Sequence, residues 1–293
     1  MPSQQGRLAV VTGTGGLGFE DALALSRAGA EVIIAGRNAA KGAEAVDKVR
    51  AQVPDAKVRF EAVDLASLQS VHGFCERLLN QGKKLDVLIN NAAVMTPPKR
   101  EVTADGHELQ FGTNHLGHFA LTAGLLPLLD GARVISLSSV AAREGHLDFD
   151  DLNAERSYTP MKAYGQSKMA CLMFAFELQR RSVANGWGIT SIAAHPGVSR
   201  TDLLHNAPGK TSMAGLARSY LWFLFQPAAQ GALPTLFAAT AKEAKPGAYY
   251  GPDKLSETRG YPALSKVPKQ ALDEANAARL WTESERLSGV TFR

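Results

Sequence analysis

Leu8-Ala9-Val10-Val11-Thr12-Gly13-Thr14-Gly15-Gly16-Leu17-Gly18 is the stretch that decides the fold. Its first half is a short apolar run of the kind found in sheets buried on both faces. Its second half is a glycine cluster, inside which the helical pattern Leu17, Leu23, Leu25 begins. Without Cβ atoms, backbone amides at a helix N-terminus can close on an anion, and a strand, glycine turn and helix in that order suit the pyrophosphate of a dinucleotide. The same residues also make a plain tight turn, so the cluster gains meaning only from its surroundings.

Outward from this unit, apolar β-branched runs recur at residues 32–35, 58–63, 87–90, 134–137 and 189–194. Helical patterns lie near residues 17–28, 39–52, 67–80, 106–129 and 162–184, each long enough for a crossover. Repeated strand–helix–strand units predict a doubly wound α/β fold with a mainly parallel sheet and helices on both faces. No Gly/Ser or Pro-rich linker and no repeat interrupts the alternation, which predicts one Rossmann-type domain over residues 1–293. After His195 the pattern loosens: residues 228–241 read as a helix, 247–252 as a short final strand and turn, and 272–287 as a closing amphipathic helix.

The 293 residues are 45% hydrophobic and 20% charged, which is enough to bury a sizeable core. A net charge of +4 is scattered without a basic tail or aromatic-interleaved cluster, favouring a phosphorylated small molecule over nucleic acid as partner. Cys75 and Cys171 sit in partly apolar helical contexts and read as buried free thiols, in keeping with a reducing compartment. The N-terminal residues 1–6 are too short and polar for a signal peptide, and residues 220–225, the most lipid-like run, fall far below the roughly 20 apolar residues of a spanning helix. The expectation is a cytoplasmic protein with no membrane-spanning segment, its oligomeric state open to include a homo-oligomer.

Strand two ends at Ala35-Gly36-Arg37-Asn38, where an NAD site would carry an acidic side chain for the ribose 2′-hydroxyl. Gly36 instead leaves space and Arg37 offers a planar cationic fork suited to a 2′-phosphate, so the cofactor expected is NADP(H). In Tyr164-Gly165-Gln166-Ser167-Lys168, a phenol and an ammonium share one helix face a turn apart. A phenol is a poor proton donor or acceptor at neutral pH unless a nearby cation favours its phenolate, which Lys168 can supply. Strand five ends in Ser138-Ser139, at the carboxyl edge where ligands of open α/β sheets bind.

These motifs together resemble the short-chain dehydrogenase/reductase family over about residues 7–202. The family loop usually reads Thr-Gly, three residues, Gly, any residue, Gly; here only Thr14 and Gly15 separate Gly13 from Gly16, so the loop is one residue short. The family's extended branch, which includes epimerases, has two residues there but a glycine where this chain has Phe19. The resemblance implies that Gly13, Gly16, Leu17 and Gly18 hold the pyrophosphate, that Asp64 and Leu65 lie at the adenine, and that Asn91 and Ala92 of Asn90-Asn91-Ala92-Ala93 pass close to the cofactor. Asp64 also reads as a helix N-cap. Pro196, Gly197, Val198 and Thr201 would line the nicotinamide, with His195 structural. Ser139 would orient the substrate oxygen, Tyr164 would exchange its proton, and Lys168 would also hold the nicotinamide ribose. Asn114, in Thr113-Asn114-His115-Leu116-Gly117-His118, matches the asparagine that kinks its helix and holds a relay water. His115 and His118 read as packing or surface residues, since no ligand spacing around them suggests a metal.

The long span between Ser139 and Tyr164, with residues 144–153 inserted, is similar to that of the retinol-dehydrogenase-like and protochlorophyllide-reductase-like branch. That implies tolerance of bulky apolar carbonyl compounds, while a surface loop with no role in recognition explains the span equally. Residues 201–226, rich in Leu and aromatics, read as a substrate lid or as core and subunit contact. The reading is thus an NADP(H)-dependent ketoreductase or alcohol dehydrogenase acting on a small-molecule carbonyl or alcohol. It stands against an NADPH-sensing regulatory protein, which needs no proton donor, and a sugar-nucleotide epimerase, against which Phe19 and the short C-terminal region weigh.

Overall fold

The computed structural model describes residues 1–199 and 226–292. Its strands are β1 (Leu8–Thr12), β2 (Glu31–Gly36), β3 (Val58–Ala62), β4 (Val87–Asn90), β5 (Arg133–Leu137), β6 (Thr190–Ala194), β7 (Tyr249–Lys254) and β8 (Arg259–Leu264). They form one sheet in the order β3-β2-β1-β4-β5-β6-β7-β8, parallel throughout except for β8, which runs antiparallel to β7. Chain growth reverses direction between β1 and β4, so the carboxyl ends of these two strands open a crevice at the switch point. The glycine loop follows β1 and sits at that crevice.

Helices α1 (Gly16–Arg27), α2 (Ala39–Gln52), α7 (Ala228–Gly231) and α8 (Leu233–Thr240) accompany one face. Helices α3 (Leu68–Gln81), α5 (Gly117–Gly124) and α6 (Pro160–Asn185) cover the other, and α9 (Glu274–Ser288) lies over α5 and α6. The strands are apolar on both sides because both sides are covered; β1 is buried at every position. Helix ends follow local chemistry. Ser67 accepts a hydrogen bond from Ser70 N to open α3, Pro160 opens α6, and Gly82, Gly186 and Gly289 close α3, α6 and α9 in left-handed conformations.

Boundaries expected from the sequence mostly shift by a residue or two, and the helix expected over residues 228–241 divides at Ala232 into α7 and α8, but two regions differ in kind. Residues 106–129 are not one helix. They comprise α4 (Leu109–Phe111), a π-helical turn (Gly112–Leu116), α5 and a 3-10 turn at Leu126–Leu128. Glycines mark close approaches along this run: a Cβ at Gly112 would fall on Thr103, one at Gly117 on the Leu65 carbonyl, and one at Gly124 would lie 2.7 Å from Cys75 Sγ. Pro127 stands inside the 3-10 turn that ends it. The C-terminal strand is likewise a hairpin rather than a strand and turn. β8 carries Gly260 and Pro262, both poor strand residues by composition; as the edge strand it tolerates them.

Helix α9 and the chain end seal the α5 and α6 face with aromatic rings. Trp281 lies 5.1 Å from Phe119, 5.8 Å from Phe174 and 4.4 Å from Phe292, and Arg181 stacks 4.5 Å over its ring. Cys75 and Cys171 are buried free thiols, as the sequence indicates. Among the described residues no helix is long and apolar enough to cross a membrane.

Candidate active site

The glycine loop is folded down onto its neighbours. Gly13 (φ +104°) donates from its N–H to Ala35 O at 2.7 Å, and Gly16 (φ +53°) opens α1. A Cβ at Gly18 would stand 2.6 Å from Asn91 Nδ2 and 2.7 Å from Gly13 O, and one at Gly36 would stand 2.9 Å from Thr14 Cγ2. Among the described residues no side chain caps α1 at Gly15, and amides at such a helix start suit an anion. Leu17, in the first turn of α1, is half-buried and packs against the core. These features fit a pyrophosphate, and the one-residue shortening is absorbed without breaking the strand, turn and helix sequence. Arg37 is exposed directly after β2, beside Asn38, whose side chain caps α2 by accepting from Lys41 N at 3.0 Å.

The cap of α3 is Ser67 rather than Asp64, which instead accepts from Ala66 N at 3.0 Å in a local turn. Leu65 is buried beneath it. Asn91 Nδ2 donates to Thr12 O at 2.7 Å, while Asn91 N and Ala92 N donate to Thr12 Oγ1 at 2.9 and 3.0 Å. Asn91 and Ala92 therefore lock the ends of β1 and β4 together under the glycine loop. Pro196, Gly197 (φ +63°) and Val198 follow β6, whereas Thr201 and, apart from Gln226, the segment 201–226 expected as a lid or as core and subunit contact lie outside the described residues.

The four catalytic candidates come from three elements, the π-helical turn, the end of β5 and α6, and converge at the carboxyl edge. Asn114 lies in the π-helical turn, the irregularity expected of a kinked helix. Its Oδ1 accepts from Val94 N at 2.8 Å and its Nδ2 donates to Val94 O at 3.0 Å and Ser167 Oγ at 2.9 Å. Its backbone carbonyl accepts from His118 Nδ1 at 2.9 Å and from the Cys171 thiol at 3.1 Å. Asn114 thus ties the loop after β4 to α6. Ser139 caps the 3-10 turn Val140–Arg143, accepting from Ala141 N at 3.2 Å. Neighbouring Ser138 donates to Lys168 O at 2.8 Å, and Lys168 Nζ donates to Leu137 O at 3.0 Å, so the end of β5 is bonded to α6 from both sides. Lys168 Nζ is 5.9 Å from the Tyr164 ring centre, and both side chains are buried.

Close backbone packing also brings the segment after the Ser139 turn against α6. A Cβ at Gly145 would fall on the Gly165 carbonyl, with Met169 Cβ at 3.2 Å. Both surfaces are backbone, which cannot yield as a flexible side chain does. Gly145→Val is therefore expected to destabilise by about 1–3 kcal/mol through overpacking and to lower turnover with it. A denaturant midpoint equal to the unaltered protein's would show that the approach is not tight.

From the sequence Thr12 and Tyr249 have no role in the site and His118 reads as a packing or surface residue; the structure buries the histidine. His118 is fully buried, and burial pulls its pKa down to about 4. Because its Nδ1 faces a carbonyl, Nε2 is the acceptor, taking the Thr12 hydroxyl hydrogen at 2.9 Å. Tyr249 OH reaches Ser139 O at 3.5 Å, and burial pushes its phenol well above the usual range. The partners of Thr12 and His118 lie 106 positions apart. No local pattern carries such a pairing. Among the described residues no group of His, Cys, Asp and Glu is placed to hold a metal ion.

Residues 7–212 match the family described as short chain dehydrogenase. The chain belongs to the short-chain dehydrogenase family. It is similar to retinol dehydrogenase 13 of Mus musculus, with 40% identity over 98% of this chain and 85% of that one. It is also similar to polyprenol dehydrogenase of Mus musculus, with 38% identity over 99% and 86%. A solved structure of an uncharacterized protein from Mycobacterium paratuberculosis superposes with a TM-score of 0.84 and 37% identity, covering 100% of this chain and 97% of that one. The fold is therefore that of the short-chain dehydrogenases, and the relatives place this chain in the retinol-dehydrogenase-like branch of these oxidoreductases.

Proposed function

We propose that this oxidoreductase uses NADP(H) to interconvert an alcohol with a ketone or aldehyde on a bulky apolar substrate. The observation that carries the reading is the convergence of Asn114, Ser139, Tyr164 and Lys168 at the sheet edge beside a glycine loop with Arg37 behind it. Gly13, Gly16, Leu17 and Gly18 would hold the pyrophosphate, Arg37 the 2′-phosphate, and Asp64 with Leu65 the adenine. Asn91, Ala92, Pro196, Gly197 and Val198 would line the path to the nicotinamide, joined by Thr201. When bound, the nicotinamide supplies or accepts a hydride. Tyr164 gives a proton to the carbonyl oxygen in reduction and takes it back in oxidation. Ser139 holds that oxygen, and Lys168 favours the phenolate and binds the ribose. Asn114 keeps the π-helical turn, α6 and the loop after β4 in register.

The names of the two murine relatives are those of enzymes acting on isoprenoid alcohols, and the long segment between Ser139 and Tyr164 fits the same substrate class. A spectrophotometric screen of NADPH oxidation against all-trans-retinal, aryl ketones and short aldehydes checks it. Preference for short polar aldehydes would count against a bulky apolar site.

Arg37→Asp tests the cofactor. A charge-assisted hydrogen bond contributes about 1.5–3 kcal/mol, so NADPH should bind roughly 10-fold to 100-fold more weakly. NADH should change little, because it lacks the phosphate that the new carboxylate would repel. An unchanged NADPH to NADH preference in kinetics with both would overturn the assignment.

A further inference from the structure

The turn between β7 and β8 holds three consecutive non-glycine residues in the left-handed region: Leu255 at φ +49°, Ser256 at +54° and Glu257 at +65°. Such a run persists only where its surroundings over-determine it. Here two segments of the candidate site do so. Arg143, on the 3-10 turn that Ser139 caps, donates from Nη2 to Glu257 Oε2 at 2.7 Å and from Nη1 to Ser256 O at 3.0 Å. From the other side, the loop after β6 binds the same turn. Val198 N donates to Thr258 O at 2.8 Å, and His195 Nε2 reaches Glu257 Oε2 at 3.2 Å.

The histidine's orientation is fixed. Gly197 N donates to His195 Nδ1 at 3.2 Å, so Nε2 carries the hydrogen toward Glu257 and Ser265 Oγ. The imidazole is fully buried, and a Cβ at Gly197 would fall on the Thr258 carbonyl. The second carboxylate oxygen of Glu257 accepts from Lys266 N at 3.0 Å. The His195 hydrogen bond, with the Lys266 amide and Arg143, holds the Glu257 carboxyl down to about 2, so it stays ionised across the neutral range.

We infer that Glu257 is a positioning residue, the buckle of a strap from the β7–β8 hairpin that holds the loop of Pro196, Gly197 and Val198 in register with the Ser139 turn. Given the proposed dinucleotide site, those two segments flank the reacting end of the cofactor and the substrate oxygen. Among the described residues no hydrogen bond joins Arg143, His195 or Glu257 to the glycine loop or Arg37, so the strap acts on the nicotinamide half of the ligand alone. Its chemistry is a single carboxylate shared by a guanidinium and a neutral imidazole. Neither partner is in the catalytic set.

The test compares NADPH with 2′,5′-ADP, which carries the 2′-phosphate and adenine but no nicotinamide. In Glu257→Gln, the dissociation constant for NADPH measured by fluorescence is expected to rise at least tenfold, with 2′,5′-ADP held within twofold. At saturating NADPH, kcat for a carbonyl substrate should fall while its KM changes little. Arg143→Met is the second variant and should move NADPH in the same direction while leaving Glu257 bonded to His195. Glu257→Asp should recover part of the NADPH affinity. Equal weakening of both ligands would mean general loosening and overturn the strap, as would no change in either. If the unaltered protein prefers NADH, the cofactor assignment fails by itself, and the strap is read from NADH against ADP-ribose with the same expected split.

Discussion

Tyr164→Phe is expected to lower turnover by roughly 100-fold to 10,000-fold, the contribution of a positioned general acid or base, while NADPH binding and thermal stability stay near those of the unaltered protein. The substitution removes one oxygen and leaves the ring in place on α6, whose first turn is set by Pro160 and whose end is closed by Gly186. It also leaves intact the bonds that hold the site together: Ser138 Oγ to Lys168 O, Lys168 Nζ to Leu137 O and Asn114 Nδ2 to Ser167 Oγ. Removing Lys168 is a poorer experiment, because its ammonium is buried against the Leu137 carbonyl, and its loss would move the end of β5 as well as the chemistry. The measurement is NADPH oxidation at saturating carbonyl substrate, paired with a binding titration and a melting curve. Turnover within a few-fold of the unaltered enzyme would sink the assignment. Tyr249 is the other phenol near Ser139, but it faces the Ser139 carbonyl and burial opposes its ionisation, so it is not expected to substitute.

Much of this was legible because it is local. A buried parallel strand, a glycine turn and a helix start are adjacent in sequence, so the stretch from Leu8 to Gly18 announces the fold, and Tyr164 and Lys168 share a helix face by spacing alone. What stayed hidden depends on pairing across the chain. Ser67 outcompetes Asp64 as the cap of α3 because the Asp64 carboxylate is spent on Ala66 N, a choice no helix-start pattern records. The π-helical turn at Asn114 arises where α4 and α5 must fit against Thr103 and Leu65, segments that join it only in the folded chain. Strand β8 has no element assigned to it from the sequence, because Gly260 and Pro262 oppose strand formation. It forms because an edge needs hydrogen bonds on one side only. The clasp of Arg143, His195 and Glu257 joins positions as much as 114 apart, and each reads singly as an ordinary surface or core residue.

The protein is also expected to lose stability steeply below about pH 6.5, the ordinary histidine value, because His115 and His118 are buried neutral. Burial pulls His115 down to about 3 and His118 to about 4, so between pH 6.5 and those values the unfolded chain binds protons that the folded chain refuses. Stability is therefore complete above the unfolded value and falls as pH drops, at roughly 1.4 kcal/mol per pH unit for each histidine. Two buried acids oppose this trend. The carboxyls of Asp21 and Glu108 are raised by burial, so their contribution is present at low pH and is lost as pH rises. His115→Phe isolates one term. His115 Nε2 bonds Ser284 Oγ at 2.7 Å, its Nδ1 has no partner among the described residues, and Ser284 donates to Leu280 O, so phenylalanine leaves no serine stranded among Phe111, Phe119 and Phe174. Denaturant midpoints at pH 7.5, 6 and 5 should show the variant gaining on the unaltered protein by roughly 2 kcal/mol at pH 5. Parallel curves would remove His115 as a cause.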